Sequence, residues 1–129
     1  MAITFNHTIV GAKDRRESAD FFTEVFGLPP AREVGPFLAV QLDHGVTLDY
    51  MQVAPEVTVQ RQHYAFLVSE DEFDAIYGRI RVRGLRHWAD PLGRRPGEIN
   101  HDDGGRGVYF PDPSGHQLEI ITRPYGSGG

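Results

Sequence analysis

Gly104-Gly-Arg-Gly-Val-Tyr-Phe-Pro-Asp-Pro-Ser-Gly-His-Gln-Leu-Glu-Ile-Ile-Thr122 decides the reading of this chain. Val108 to Phe110 is apolar and aromatic, which suits a strand. Pro111-Asp112-Pro113-Ser114-Gly115 is a dense turn signal. His116 to Thr122 resumes an extended pattern, with Gln117, Glu119 and Ile121 on one face and Leu118 and Ile120 on the other. Glu119 thus sits mid-strand among apolar neighbours, where an unpaired carboxylate is costly and needs a partner.

Upstream, the chain reads as one unit written twice. Ile3 to Val10 predicts a strand with Phe5, His7 and Ile9 on one face. Asp14 and Glu17 form a capping-box pattern for a helix over Arg15 to Phe26, which Gly27 and Leu28-Pro29-Pro30 end. Strands follow at Ala31 to Val34, Phe37 to Leu42 and Val46 to Met51, the last two joined by an Asp43-His44-Gly45 hairpin turn. Pro55 to Gln60 reads as a linker. Gln62 to Val68 then repeats the first strand, with His63, Ala65 and Leu67 on one face. Ser69 and Glu72 repeat the capping box for a helix to Val82, and Gly84-Leu85 repeats the stop. Arg86 to Ala89 predicts a short strand, and the opening hairpin supplies the last two.

His7 and His63 hold matching places 56 residues apart, and Leu48-Asp49 matches Leu118-Glu119. Duplication explains this better than chance. The predicted architecture is α+β: two βαβββ modules, residues 1–55 and 61–125, whose helices cover one sheet face and leave the other free to curve around a cavity, with a flexible tail at 126–129.

The composition excludes several classes. No cysteine is present, so disulfides, thiolate catalysis and Cys-ligated zinc are out. A net charge of -5 argues against a nucleic-acid or anionic-membrane partner. Arg79, Arg81, Arg83 and Arg86 cluster, but as a solvated helix face. No apolar run approaches the roughly 20 residues of a membrane span. The first residues lack the pattern of a signal peptide, so a cytoplasmic location is expected.

His7, His63 and Glu119 all fall on predicted strand faces shared with small or apolar residues. Two imidazoles and a carboxylate suit a divalent first-row ion and leave positions open, as in non-haem iron(II) oxygenases. Tetrahedral zinc takes the same ligands. Each residue also has an ordinary role open to it: a hydrogen-bonded strand histidine, or a Glu119 paired with Arg106 or Arg123.

The stretches Phe5 to Val10, Gln62 to Val68 and Gly107 to Ile120 resemble the vicinal oxygen chelate superfamily. That superfamily includes glyoxalase I, extradiol dioxygenases, fosfomycin-resistance thiol transferases and bleomycin-binding proteins. The resemblance implies paired βαβββ modules forming one open barrel-like sheet around a metal held by His7, His63 and Glu119. A narrower resemblance is to the ChaP-like dioxygenase group of chartreusin biosynthesis. It rests on Asn6 to Val10, His63 to Val68, Trp88-Ala-Asp90, Pro96 to Asn100 and Ile120 to Tyr125. It implies an iron(II)-dependent dioxygenase that cleaves or rearranges a ring of a phenolic or quinone-like aromatic polyketide. Reduced flavin would be at most a co-substrate; manganese, nickel and zinc are the other metals the superfamily implies. It also implies a homodimer whose modules pair between chains. A glyoxalase-like lyase, a fosfomycin-type thiol transferase and a non-catalytic antibiotic-binding protein are the alternatives.

Where glyoxalase I has a fourth ligand, this chain has Asp49, one methylene shorter. It either ligates, orients a ligand histidine or bound water, or is a salt-bridged aspartate. The loop from Asp90 to Gly105 is long enough for a lid or binding loop. It offers Asn100 and, beside it, Arg106 for substrate binding. His101 is a candidate proton acceptor or a solvent-exposed residue. Tyr109 either donates a hydrogen bond in the cavity or packs in the core. Phe37, Tyr50 and Trp88 are candidates for an aromatic substrate wall.

Overall fold

The computed structural model describes residues 2–128. The chain divides between Gln60 and Arg61 into two compact units.

The first unit contains β1 (His7–Ala12), α1 (Arg15–Phe26), β2 (Arg32–Val34), β3 (Phe37–Gln41) and β4 (Thr47–Gln52). Its helix has the predicted bounds because both ends are chemically marked. The Asp14 carboxylate accepts the Arg16 and Glu17 amides at 3.0 and 3.1 Å, and Gly27 takes the left-handed conformation at φ 72°. Ala19, Phe22 and Val25 are fully buried. The sheet runs β1-β4-β3-β2, with β1 parallel to β4 and the other pairs antiparallel. Val10 and Ala12, Leu38 and Val40, and Leu48 and Tyr50 alternate along their strands as its buried face. Asp43–Gly45 is a single 3-10 turn with His44 at φ 60°.

The second unit contains β5 (His63–Leu67), α2 (Glu70–Val82), β6 (Gly107–Pro111) and β7 (Gln117–Ile121). The Ser69–Glu72 capping box is complete, with bonds of 2.8 and 3.1 Å. Phe73, Ile76 and Ile80 are its buried stripe; Val108, Phe110, Leu118 and Ile120 are the buried sheet residues. The order is β5-β7-β6, so β7 is central, parallel to β5 and antiparallel to β6.

The α+β class holds, but the expected barrel-like sheet does not. The described strands form two separate sheets of four and three strands, and neither closes on itself. Closure needs every strand paired on both sides, typically with about eight strands. Here β1 and β2 remain edges of one sheet, and β5 and β6 of the other. The predicted Arg86 to Ala89 strand shrinks to bridges at Trp88, one to Pro96 and one to Tyr109.

In the Asp90 to Gly105 loop, the Asp90 carboxylate gathers the amides of Leu92, Arg94 and Arg95 at 3.2, 2.9 and 2.7 Å. The amides of Gly126 and Gly128 donate to the Asp103 carboxylate, each at 3.1 Å. Gly129, the end of the expected tail, lies outside the described residues. No helix among the described residues is long and apolar enough to cross a membrane.

The β6–β7 turn is held by a buried acid. Asp112 Oδ1 accepts the amides of Ser114 and His116, both at 2.9 Å. Asp112 Oδ2 is buried without a hydrogen-bond partner. Burial raises the Asp112 carboxyl above its ordinary value, against the opposing pull of the amides and of His116. The folded state thus binds this proton more tightly than the unfolded chain. The group's favourable contribution is complete below the ordinary aspartate value near pH 4 and is lost as pH rises through the raised one. Melting temperatures of the native protein and Asp112→Asn, measured from pH 4 upward, should shift against the native protein as pH rises. Parallel curves would contradict a buried, proton-retaining Asp112.

Candidate active site

The site is built on the face of the second sheet opposite its buried one. Strand alternation puts His63 and Ala65 of β5, Gln117 and Glu119 of β7, and Tyr109 of β6 on that face. The register sets Ala65 and Tyr109 on either side of Glu119, and His63 beside Gln117. His63 Nε2 lies 2.9 Å from Glu119 Oε1. The His63 and Tyr109 rings stack with centroids 5.8 Å apart, and the Tyr109 hydroxyl hydrogen-bonds Glu119. These groups open into a cavity of about 710 Å³ whose walls include Ala65, Ile121, Pro91 and Leu92.

The donor chemistry suits a cation. His63 Nδ1 is 3.2 Å from the Gln117 carbonyl oxygen. A carbonyl only accepts, so Nδ1 carries the ring proton. In the neutral imidazole Nε2 then presents a lone pair to a carboxylate oxygen. Two acceptors at that distance need something positive between them: a second ring proton, or a metal ion bound by both. The Gln117 carbonyl is the outer partner that metal-bound histidines commonly have. Tyr109 supports the carboxylate. Burial first, and then the Glu119 charge and hydrogen bond, push its phenol well above the ordinary tyrosine value. It therefore stays protonated and donates to Glu119.

The other predicted residues are placed as follows. His7, on β1 of the first unit, is exposed, and its Nδ1 lies 2.6 Å from Asn6 Oδ1. Asp49 of β4 pairs with Ile9 and Ala39. It therefore holds in the first sheet the register position of Glu119 in the second. Phe37 of β3 is half-buried, and Tyr50 is buried in the first unit's core. Asn100 is buried; its amide nitrogen donates to the Ala89 carbonyl at 2.8 Å, and its oxygen accepts the Asp102 amide at 3.1 Å. Arg106 pairs with Glu70 and Asp74 of α2, each at 2.8 Å, and lies over the Phe73 ring. His101 is exposed in the loop. Trp88 lies in the second unit, its backbone exchanging two 2.9 Å hydrogen bonds with Tyr109. Among the described residues no group of three or more His, Asp or Glu side chains is gathered to hold a metal.

Two lining residues, Gln117 and Arg61, were not among the candidate site residues of the sequence reading. Gln117 accepts from Arg61 through Oε1 and donates through Nε2 to the Pro91 carbonyl at 3.2 Å. One amide thus ties the sheet to an arginine and to the Asp90 to Gly105 loop. The available signal was period-two spacing, since Gln117 precedes Glu119 by two and Arg61 precedes His63 by two.

A family description, "Glyoxalase/Bleomycin resistance protein/Dioxygenase superfamily", matches residues 4–120. Among solved structures, the chain is similar to the oxidase ChaP-H1, with 59% identity and a TM-score of 0.92 over 97% of this chain and 99% of that one. It is similar to the oxidase ChaP-H2, with 58% identity and a TM-score of 0.94 over the full length of both. Among characterised proteins it is similar to glutathione transferase FosA of Serratia marcescens, with 30% identity over 93% of this chain and 81% of that protein.

Replacing Gln117 by leucine removes both ties while keeping an apolar strand residue. The lost bonds and stranded partners should cost about 1–3 kcal/mol. Amide hydrogen exchange over residues 90–95 should accelerate, with α1 unchanged. Unaltered exchange in that loop would show that Gln117 does not hold it.

Proposed function

The chain belongs to the glyoxalase/bleomycin resistance protein/dioxygenase superfamily, and from that premise we propose that it is an iron(II)-dependent dioxygenase of a phenolic or quinone-like aromatic substrate. The observation that carries this reading is the His63–Glu119 pair, two metal-competent donors 2.9 Å apart at a cavity. Its likeness to two ChaP oxidases, near 60% identity, favours oxygen chemistry. His7 is the proposed third ligand, as the family resemblance implies.

A bound ferrous ion would supply open coordination positions for vicinal substrate oxygens and for dioxygen. The chain's own residues do the rest. The Gln117 carbonyl holds Nδ1–H of His63 and so aims Nε2 into the cavity. Tyr109 holds its proton and donates it as a hydrogen bond to Glu119, fixing the carboxylate. Because its phenol is raised, Tyr109 is a donor and not a base at neutral pH. Ala65 leaves room beside Glu119, and Pro91, Leu92 and Ile121 give the cavity apolar walls that a planar ring can cover, excluding water.

Thiol transfer is the second reading, favoured by the 30% identity to FosA. The products separate the two. Protein purified without oxygen and loaded with iron(II) should consume dioxygen when given a catechol-like polycyclic substrate, and should cleave or rearrange its ring. His63→Ala and Glu119→Gln should each lower metal affinity and turnover by about 100-fold or more. Turnover only with a thiol, and no oxygen uptake, would replace the oxygenase reading with the transferase one.

A further inference from the structure

The cavity at His63 and Glu119 does not end there. A second hollow of about 480 Å³ shares Arg61, Pro91, Leu92 and Gln117 with the first and adds Arg86 and Trp88. Its chemistry differs from that of the first. The Arg86 guanidinium lies 5.5 Å from the Trp88 ring centroid. The Arg61 guanidinium is anchored through one nitrogen to Gln117 Oε1, leaving the rest of its five-donor fork for another acceptor. Among the described residues neither arginine is ion-paired with a carboxylate. The nearby acid, Asp90, is occupied by its own loop amides. The Trp88 indole is fixed by its backbone pairing to Tyr109 and by Gly93, where an added Cβ would come 3.2 Å from the indole nitrogen.

We propose that this continuation is a carboxylate-binding subsite, in which Arg61 and Arg86 line one hollow with the Trp88 ring and select a polycyclic aromatic substrate carrying an anionic substituent. The inference deepens the function proposed above and rests on it for which end of the molecule reacts. Arginine forks match planar carboxylates in two-point contacts, and the indole offers a stacking face for the attached ring. Scale fixes the size class. Gln117 and Glu119 are two residues apart on one strand face, about 7 Å. A molecule reaching from the His63–Glu119 pair past Gln117 to the arginines therefore needs more than one ring. A single-ring catechol would fill the reactive end and leave the cationic end empty.

Trp88 is the only tryptophan, so its emission reports on this subsite alone. The test titrates the full-length protein, without added iron and without oxygen, with anthraquinone-2-carboxylate and with its neutral carboxamide, following Trp88 quenching. The carboxylate should bind at least tenfold more tightly, and the preference should weaken with salt. Arg61→Gln and Arg86→Gln should each erase most of that preference, read as the ratio of the two affinities in the same variant. Arg86→Lys, which keeps the charge, should retain part of it and guards against a misfolded glutamine variant. Equal affinity for the two ligands, or a preference surviving both glutamine variants, would overturn the subsite. A parallel arm compares flavin mononucleotide with riboflavin. A preference for the phosphate there, without one for the carboxylate, would assign the arginines to a flavin phosphate and overturn the substrate assignment. None of these readings depends on oxygen uptake, so failure of the oxygenase reading and failure of the subsite are separately visible.

Discussion

The second unit depends on one buried carboxylate at a turn. β7 is the central strand of its sheet, and His63, Ala65, Tyr109, Gln117 and Glu119 lie on β7 or on a strand paired to it. Its register against β6 is set where the chain reverses, at Pro111 to Gly115. There Asp112 Oδ1 takes the Ser114 and His116 amides, and Gly115 supplies φ 95°. A one-residue slip would turn Glu119 and Gln117 to the buried face and bring Leu118 out. His116 joins the same device from the other side: its Nδ1 accepts the Gln62 amide at 3.0 Å, next to His63. The turn therefore fixes where β6 meets β7 and where β5 begins. The cost is a carboxylate oxygen left buried and unpartnered.

The two units show how one backbone pattern is given different chemistry. His7 pairs with Thr47 and Ile9 with Asp49, as His63 pairs with Gln117 and Ala65 with Glu119. The positions repeat, but their neighbours do not. Glu119 is flanked by Ala65, which is small, and Tyr109, which donates a hydrogen bond. Asp49 is flanked by Ile9 and Ala39. It has a shorter reach, a bulkier neighbour on one side and no phenol on the other. The second unit's copy alone combines room, a long carboxylate and a donor to hold it.

What could be read from the sequence follows from where the information is local. Both helices were legible to the residue because Asp14, Gly27, Ser69 and Glu72 mark their ends by short-range hydrogen bonds. The hairpin was legible because turn residues are dense there. The first strand was placed too early, since Ile3 and Phe5 fit the alternation but the ladder begins at His7. Arg86 to Ala89 failed as a strand because pairing, not propensity, makes one, and only Trp88 of that segment forms β-bridges. The barrel expectation failed for the same reason: closure depends on edges meeting, which no local pattern encodes. Asn100 and Arg106 look like substrate-binding groups in sequence, yet their hydrogen bonds are spent on the loop and on α2. Gln117 and Arg61 look ordinary, and their importance appears only when two strands and a loop converge.

Charge shows why the location of a residue matters more than the total. The chain carries a net charge of -5, which speaks against a polyanionic partner but says nothing about a small anion. Arg106 is cationic too, but Glu70 and Asp74 neutralise it, and the aromatic face beneath it is Phe73 of the core. Arg61 and Arg86 line a hollow without such neutralisation, beside an indole that is only partly covered. Both arginines are exposed, so salt screens them, but with no carboxylate pairing them their charge is open to an incoming anion. Two such groups at one end of a groove, and a carboxylate–imidazole pair at the other, give the groove a direction. A substrate with its chelating oxygens at one end and its anionic substituent at the other meets complementary groups at both ends in one orientation only.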